Sequence, residues 1–351
     1  MKVIHIESGL GNQMLSYCEY LAMKKMNPND KVYIETIIYD IPECNNIICQ
    51  WNGFELERIF GINAPNIREY FTDEQWQQIM SDIRSSEFWL RNWNYPVHFS
   101  AAFNRVGLNI INIRGDFEKG GLHVGYDRNR KLIWKDKFRD KDWWIALRYA
   151  KGMVQDRILS HKVDYKPKLF VKSDENLFTG QQLDFKRVNS GIEDIDSEIR
   201  QVFQFPSLTD DKSINAVKNI QECNSVAIHA RRGDMLKTNY HLYRFGYFRR
   251  AVSYIRKKVE KPVFFIFCDP DSVEWAKQNE NIFGLNFKHD EVHFIDWNKG
   301  ENSFRDMQIM AQCKHQIITN SSFGWWGAWL NSNPDKITIS PSFLINTTKT
   351  L

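Results

Sequence analysis

Three short segments of this sequence combine anion-binding side chains with the small residues that leave a backbone accessible. They are residues 8–13 (SGLGNQ), 229–234 (HARRGD) and 319–330 (TNSSFGWWGAWL), and each follows a predicted β-strand. In α/β proteins, ligands bind beyond the carboxyl ends of the strands. These segments are therefore the first candidates for a site that binds an anionic ligand.

The second segment places two adjacent arginines, Arg231 and Arg232, at the turn after a predicted strand. Arginine binds phosphate through two parallel hydrogen bonds and keeps its charge, and it is costly to bury without an anionic partner. We interpret Arg231 as a phosphate ligand, and Arg232 as a second ligand or as the partner of a carboxylate. The alternative is an ordinary surface pair with an aspartate.

The first segment is glycine-rich and precedes a predicted helix. Gly9 and Gly11 allow the backbone to approach a ligand closely, and a helix N-terminus favours anions. A dinucleotide-binding fingerprint fails at its third glycine, where Met14 stands. A structural tight turn is the alternative interpretation.

The third segment runs from a strand through small polar residues into a helix. Its backbone N–H groups and hydroxyls suit an anion, and Phe323, Trp325 and Trp326 offer flat apolar surface to a base or a sugar. Core packing is the alternative for any one of them, and Trp329, one turn further on, is predicted to be core.

Three aspartates, at two places in the chain, have open interpretations. Asp306 precedes an apolar stripe, so it fits a helix N-cap, but a carboxylate also suits the N1–H and N2–H₂ groups of guanine. Asp269 and Asp271 form an Asp-x-Asp pattern typical of some metal-dependent sugar transferases. We give this pattern little weight, because Pro270 fits a turn at the end of a strand and the arginines already supply positive charge.

Strands and helices alternate in both halves of the chain. Residues 2–6 and 31–35 are predicted strands joined by a helix, which is a βαβ unit. In the second half, strands are predicted at 225–229, 262–267, 292–295, 316–319 and 336–340, with helices between them. This alternation predicts two Rossmann-like α/β domains with a cleft between them. We assign residues 1–195 to an N-terminal lobe and residues 196–351 to a C-terminal lobe.

Composition excludes several classes of protein. Apolar residues make up 42% and charged residues 26% of the 351, which is typical of a globular chain and not of a disordered one. No run reaches the ~18 apolar residues of a transmembrane helix. The six cysteines form no C-x-x-C pair, which favours a reduced cytoplasmic protein without disulfides or zinc. The net charge of +4 is too small to predict nucleic-acid binding.

One stretch of the chain is strongly basic. Residues 128–172 contain 14 lysines and arginines against 5 aspartates, a local charge of +9. The interleaved aromatic residues make this stretch amphipathic. It suits either contact with an anionic surface or a solvated face over a buried apolar stripe.

Together, GLGNQM (9–14), HARRGDM (229–235) and CKHQIITNSSFGWWGAWLN (313–331), with Asp306 upstream, resemble the bacterial α-1,2-fucosyltransferases of glycosyltransferase family 11. The resemblance covers roughly residues 1–35 and 195–345. It implies a GT-B-type fold of two Rossmann-like lobes facing a cleft, with the acceptor on the N-terminal lobe and GDP-fucose on the C-terminal lobe. The implied activity is transfer of L-fucose from GDP-β-L-fucose to the 2-OH of a galactose, with inversion to an α-linkage. No metal ion or other cofactor is implied.

The resemblance also implies roles for individual residues. His229 and Arg231 match an element that contacts the donor, with Arg231 neutralising the β-phosphate of the leaving GDP, and Asp306 matches a position that reads guanine. Asn12 and Gln13 match a loop that reaches the diphosphate and the reacting sugar. The residues expected in catalysis are Arg231, Asp234 and Asn12, and those expected to bind the donor are Gly9, Gly11, Gln13, His229, Arg232, Asp306, Asn320, Ser321, Ser322 and Phe323.

The chain departs from the family pattern at a few positions. Glycine replaces the usual serine at Gly324, and the other departures are Met235, Ala230 and Leu15, none of which removes a charged donor contact.

Asp234, Glu7 and His5 are candidates for the base that deprotonates the acceptor, with Asp234 the first choice. A dissociative reaction needs no strong base.

Other functions stay open alongside this one. They are α-1,6 or protein O-fucosyl transfer, and binding of a sugar nucleotide without catalysis; nucleic-acid binding through residues 128–172 has no motif to support it. We expect GDP-fucose and a galactose-containing glycan as partners, and no nucleic acid. The expected location is the cytoplasm, with residues 128–172 as an optional contact to the inner face of the membrane.

Overall fold

The computed structural model describes residues 1–46, 52–91, 96–113, 138, 141–144, 146–147, 150–151, 154, 171–180 and 192–341. The chain divides into two compact units. The first consists of Met1–Lys137, Lys166–Asp184 and Asn189–Gln204, and the second of Phe138–Tyr165, Phe185–Val188 and Phe205–Leu351. The single boundary expected after residue 195 stays a prediction. Most of the basic stretch at residues 128–172 lies outside the described residues.

The first unit is an α/β layer with a parallel sheet. Its strands are β1 (Lys2–His5), β2 (Val32–Glu35), β3 (Ile111–Asn112) and β4 (Leu177–Thr179), in the order β2-β1-β4-β3, and all of these pairs are parallel. Its helices are α1 (Leu10–Met26), α2 (Leu56–Phe60), α3 (Asp73–Ser85), α4 (Phe88–Arg91), α5 (Pro96–Arg105) and α6 (Asp196–Val202). The predicted βαβ unit is β1-α1-β2.

The ends of α1 follow from its sequence. Lys24 and Lys25 lie in its last turn, where cations complement the helix dipole. The helix then stops at Asn27, whose side chain donates to the carbonyl of Met23 at 2.9 Å and to that of Val171 at 2.8 Å. This asparagine ties the end of the helix to the stretch that leads into β4.

The second unit holds the other parallel sheet. Its strands are β5 (Asn224–Ala230), β6 (Pro262–Cys268), β7 (Val292–Ile295), β8 (His315–Ile317) and β9 (Thr338–Ile339), in the order β7-β6-β5-β8-β9. Its helices are α7 (Asp211–Glu222), α8 (Leu236–Arg244), α9 (Tyr247–Lys258), α10 (Val273–Lys277), α11 (Glu280–Phe283), α12 (Phe304–Met310) and α13 (Ser322–Trp329). Counted from β5, the strand order is 3-2-1-4-5, which is the order of a Rossmann sheet.

Single turns of 3₁₀ helix connect several of these elements. They are Ile37–Asp40, Pro42–Asn46, Ile67–Tyr70, Ile192–Ile195, Gly233–Met235, Pro270–Ser272 and Gly300–Asn302. The expected α/β class with two Rossmann-like parallel sheets is confirmed.

Alternate residues of β5 pack into different cores, as the two-residue period of a strand requires. Val226, Ile228 and Ala230 belong to a core that includes Phe248 and Ile255 of α9. Their neighbour Ala227 belongs to a second core with Ile309 and Met310 of α12. The sheet is therefore covered on both faces, which explains the nearly continuous apolar runs of β5 and β6.

The structure corrects two expectations, namely that Trp325 and Trp326 offer flat surface to a ligand and that Asp306 is a helix N-cap. Trp325 and Trp326 are fully buried and meet edge to face at 4.9 Å, so neither presents a surface to a ligand. The helix expected from residue 325 begins at Ser322, which turns both indoles into the core. Ser303, and not Asp306, is the N-cap of α12, so the N-cap interpretation of Asp306 is wrong. Trp329 is core, as predicted.

Among the described residues, no helix is both long enough and apolar enough to cross a bilayer.

Candidate functional site

The strand order of the second sheet fixes where a ligand should bind. The connections from β5 run to β6 on one side, whereas β8 pairs with β5 on the other side. The order in which strands are added thus reverses its direction between β5 and β8. A ligand in such a sheet binds at this point, beyond the carboxyl ends of the two central strands. Residues 229–234 span the end of β5 and the segment after it, and residues 319–323 follow β8.

Arg231 is held by two carboxylates at the end of β5. Its guanidinium forms an ion pair with Asp269, which follows β6, and donates to Asp234 at 2.8 Å. Its backbone N–H donates to the hydroxyl of Thr319 at 3.1 Å. The arginine side chain keeps 18% of its surface exposed, whereas that of Asp269 keeps only 6%. The cation is thus fixed in orientation and still accessible to a ligand.

Asp269 also fixes the backbone around this arginine. Its second carboxylate oxygen accepts from the N–H of Arg232 at 2.7 Å. One buried carboxylate therefore holds the guanidinium of Arg231 and the turn that follows it. Asp269 is therefore a partner of both arginines, of one through its side chain and of the other through its backbone. Among the described residues, no cluster of three or more metal-ligating side chains occurs.

Asn239 of α8 joins the segment after β5 to the segment after β8. Its amide donates to the carbonyls of Arg231 at 3.0 Å and Asn320 at 3.3 Å, and its oxygen accepts from the N–H of Asn320 at 3.1 Å. The hydroxyl of Tyr243 donates to the carbonyl of Arg231 at 2.8 Å. Asn239 is fully buried. It sets the distance between the arginine and the turn that leads into α13.

His229 lies beneath this turn as a neutral imidazole. Burial, and secondly the nearby charge of Arg231, lower its pKa to about 3. Its ring stacks on Phe323 with the ring centres 5.9 Å apart. A Cβ atom on Gly324 would overlap Nδ1 of this ring, so only glycine fits there. His229 therefore shapes the site through packing and adds no charge to it.

The first turn of α13 supplies the polar side of the site. Ser321 is its N-cap in extended conformation, and Ser321, Ser322 and Phe323 are all partly exposed. The first N–H groups of a helix have no partner within it. With its eight residues, α13 presents these groups and two hydroxyls next to the loop of Arg231, an arrangement that suits phosphate oxygens.

Arg232 points away from Arg231. It stacks on the indole of Trp275 at 3.5 Å and lies 5.3 Å from the ring of Tyr243. Both arginines lie beyond Ala230, the last residue of β5, and their side chains meet different partners. The structure therefore does not bring Arg232 together with the other expected donor ligands, and the bond to a carboxylate expected for it is made by its backbone.

Asp306 lies in the first turn of α12 with an unusually basic carboxylate. Burial, together with the charge of Asp296, raises its pKa to about 7, although the Asn298 amide donates to it at 2.7 Å. Burial raises the pKa of the Cys268 thiol, at the end of β6, and the charges of Asp269 and Asp306 both contribute to raising it. The guanine-reading candidate thus lies near the same strand end as the partner of Arg231.

In the first unit, the residues after β1 form a tightly bonded turn. Ser8 adopts a left-handed conformation with φ of 67°, whereas Gly9 is extended with φ of −79°. Gln13 is fully buried and donates to the carbonyls of Ser8 at 2.9 Å and Gly53 at 2.7 Å. Its side chain therefore positions this turn. Asn12 is partly exposed in the first turn of α1, which also contains the buried Gly11.

A charged cluster lies below that turn. The ring of His5 is bonded on one side to Glu35 and on the other to Glu7 at 3.3 Å. Burial opposes protonation of His5, but Glu35 and Glu7 outweigh it and raise its pKa to about 8. His5 is thus a buried cation at neutral pH and unsuited to act as a base.

Residues 194–349 match the family model described as "Glycosyl transferase family 11". This match covers a little under half of the chain. The α-1,2-colitosyltransferase of Escherichia coli is 36% identical over 152 residues, which is 41% of this chain and 49% of that protein. The human galactoside α-(1,2)-fucosyltransferase 1 is 29% identical over 110 residues, 30% of this chain and 28% of that protein. This chain thus spans about half, or less, of the curated relatives it matches.

A solved structure of the α-1,6-fucosyltransferase NodZ, co-crystallised with GDP, is similar with a TM-score of 0.42 and 10% identity over 94% of this chain and 91% of that one.

The residues that match the family model include Arg231, Asp306 and the turn into α13, together with two residues that the sequence analysis missed. Asp269 carried a signal, since it follows a predicted strand, but its pattern with Asp271 pointed to a metal. Asn239 carried no signal, because a polar residue inside a helix usually faces solvent. Asn239 and Asp269 link the segments that follow different strands, and a linear motif does not show such links.

Proposed function

We propose that this protein transfers L-fucose from GDP-β-L-fucose to the 2-OH of a galactose in a glycan, with inversion and without a metal ion. The observation that carries the proposal is the fixed, partly exposed Arg231 next to the N-terminus of α13, where the connections of a Rossmann sheet reverse, within the residues that match the family 11 model. A partly exposed cation beside the first N–H groups of a helix suits a diphosphate.

Charge development explains why such a site accelerates transfer. As the bond between fucose C1 and the β-phosphate oxygen breaks, the electron pair stays on the phosphate and the sugar becomes oxocarbenium-like. Arg231 and the N–H groups of α13 lie ready for that negative charge. Donors that are oriented in advance need no reorganisation during the reaction, and the loss of one costs ~10²–10³ in rate.

Attack by the acceptor hydroxyl completes the transfer of fucose. The galactose O2 attacks C1 from the face opposite the phosphate and forms the new glycosidic bond, and its proton passes to a base. Asp234 is our candidate, since its side chain is 34% exposed and its partner is the arginine that the phosphate engages. When phosphate oxygens take over that arginine contact, the Asp234 carboxylate becomes available to accept the proton.

The remaining expected residues support binding of the donor. Asp306 accepts from guanine in its ionised form, Ser321, Ser322 and Asn320 line the diphosphate, and Phe323 covers the nucleoside. Asn12, with Gly9 and Gly11, belongs to the first unit and is proposed to meet the reacting sugar. We expect no metal ion, because Arg231 already supplies positive charge for the diphosphate.

A second donor has a specific observation in its favour. The colitosyltransferase relative is 36% identical to this chain, against 29% for the human fucosyltransferase. Colitose is L-fucose without its 3-hydroxyl. The GDP conjugate of colitose is therefore the competing donor, and the same residues would bind it.

A donor panel tests the proposal. The purified chain is incubated, with EDTA, with GDP-fucose, GDP-colitose, GDP-mannose or UDP-galactose and a set of galactosides, and released nucleotide is measured with calorimetric binding of GDP. We expect turnover with GDP-fucose, loss of at least ~10² in rate in Arg231→Met, and partial activity in Arg231→Lys. Arg250→Met, an exposed arginine on α9, is the matched control.

The outcomes separate the alternatives. Preference for GDP-colitose selects the second donor, and GDP binding without turnover on any acceptor indicates a non-catalytic binding protein. Activity only with EDTA omitted contradicts the metal-independent mechanism. Near-normal turnover in Arg231→Met contradicts the assignment of the site.

A further inference from the structure

A cavity of about 340 Å³ lies beside the segment that follows β5, and its lining includes Arg232 and Tyr243. It opens to solvent and is otherwise lined by residues of α8, α9, α10 and α11. Its volume falls at the small end of the ~300–1,000 Å³ range of ligand pockets. Of the residues expected to bind the donor, this cavity contains Arg232 alone.

Three arginines line this cavity. Arg232 rests flat on the indole of Trp275, 3.5 Å from the ring centre. Arg244 comes from the end of α8 and Arg249 from the start of α9. Three arginines around one small cavity make its wall positively charged, which attracts an anion. Partial burial of Arg232, which lowers its pKa, strengthens its attraction to an anion.

A carboxylate of the chain itself shows how the rim binds an oxyanion. Asp142 accepts from the hydroxyl of Tyr240 at 3.0 Å and from Nε of Arg244 at 2.8 Å. Asp142, Tyr240 and Arg244 all belong to the second unit. One tyrosine hydroxyl and one guanidinium that line the cavity are thus already spaced to share a carboxylate.

The walls of the cavity show what accompanies the oxyanion. Trp275, Tyr240, Leu236 and Ile282 give it apolar and aromatic sides. A sugar ring packs its C–H faces against such sides and turns its hydroxyls toward arginine donors. An inorganic anion has no apolar surface and would not pack against these walls.

We propose that this cavity is a second binding site, which takes a single acidic sugar carrying a carboxylate or a phosphate, and that Asp142 is displaced when the sugar binds. The site is independent of GDP-sugar turnover. Arg249 and Arg232 bind the oxyanion together with Arg244, and the sugar ring lies against the aromatic wall.

Calorimetry on the full chain at low salt tests this site. The ligands are glucuronate, galactose 6-phosphate, neutral galactose and inorganic phosphate, each with and without saturating GDP. We expect saturable binding of at least one acidic sugar, with a dissociation constant of about 1 mM or tighter, no saturable binding of galactose, and no displacement by GDP. The first two ligands distinguish a carboxylate from a phosphate as the oxyanion.

Two variants locate the binding. Arg249→Met should weaken it about tenfold, because a charge-assisted hydrogen bond is lost, while its neighbour Arg250→Met should leave it unchanged. Asp142→Asn should tighten it several-fold by removing the competing carboxylate, and this variant carries the test if Arg249→Met does not fold. Equal binding of galactose or of phosphate alone, displacement by GDP, or no effect of either variant overturns the proposal.

Discussion

Arg231 and Arg232 are neighbours in the chain and have different surroundings in the fold. The first meets Asp234 and Asp269, and the second meets Trp275. Both residues lie beyond Ala230, the last residue of β5, so the period of the strand does not determine where their side chains point. The sequence pattern of two adjacent arginines therefore does not show that both serve one ligand.

At the same scale, Asp306 predicts how donor binding depends on pH. Its pKa of about 7 means that it is half protonated near neutrality. Guanine N–H donors bind the ionised form, so binding should weaken as the pH falls below about 7, by about tenfold per pH unit well below the pKa. The measurement is the dissociation constant of GDP-fucose between pH 5.5 and 8, since its diphosphate diester does not titrate there.

The control for this prediction is Asp306→Asn. This variant should bind GDP-fucose more weakly at pH 8 and show no pH dependence across the range. A pH-independent affinity in the unaltered chain contradicts the assignment of Asp306 to guanine.

At the scale of elements, α13 depends on two glycines that face different neighbours. A Cβ atom on Gly324 would overlap the His229 ring, and one on Gly327 would meet the sulfur of Met310. A buried imidazole stacked on Phe323 has no room to move, whereas methionine repacks readily. The same substitution should therefore have different effects at the two positions.

We expect Gly324→Ala to lower the free energy of unfolding by ~1–3 kcal/mol, the usual cost of overpacking, and to weaken GDP binding. Gly327→Ala is the matched control, and its gain in helix propensity of about 1 kcal/mol should largely offset the shift of Met310. Urea unfolding and GDP titration of both variants measure the difference. Equal effects on stability would show that His229 does not limit the packing of α13.

The elements also show what a sequence reveals and what it does not. Apolar runs and helical stripes predicted β5, β6 and α9, because burial on one or two faces imposes a period on the chain. The exposure of Trp325 and Trp326 was predicted wrongly, since it depends on where α13 begins, and three residues of helix rotate a side chain by most of a turn. Asp269 and Asn239 act across elements, which no local pattern encodes.

At the scale of the whole molecule, the buried His5 cluster predicts a change in stability with pH. The pKa of His5 rises from 6.5 to about 8 on folding. The folded chain then binds more protons than the unfolded chain in that interval, so this contribution is complete below about pH 6.5 and is lost as the pH rises through about 8. Its size is on the order of 2 kcal/mol.

Urea denaturation between pH 6 and 8.5 measures this contribution. The free energy of unfolding should fall across the interval in the unaltered chain and stay nearly level in His5→Gln. The fall in the free energy of unfolding must be compared between the two proteins at the same temperature and salt concentration. A flat profile in the unaltered chain would mean that Glu7 and Glu35 do not hold His5 in its charged form.

The product of the reaction tests the central claim most directly. The chain is incubated with GDP-β-L-fucose and a β-galactoside, and the glycan is examined by NMR for the linkage position and the anomeric configuration of fucose. We predict an α-L-fucosyl group on O2 of galactose, which is absent with Arg231→Met. A fucosyl group on another oxygen, retention of the β-configuration, or no product from a chain that binds GDP would contradict it.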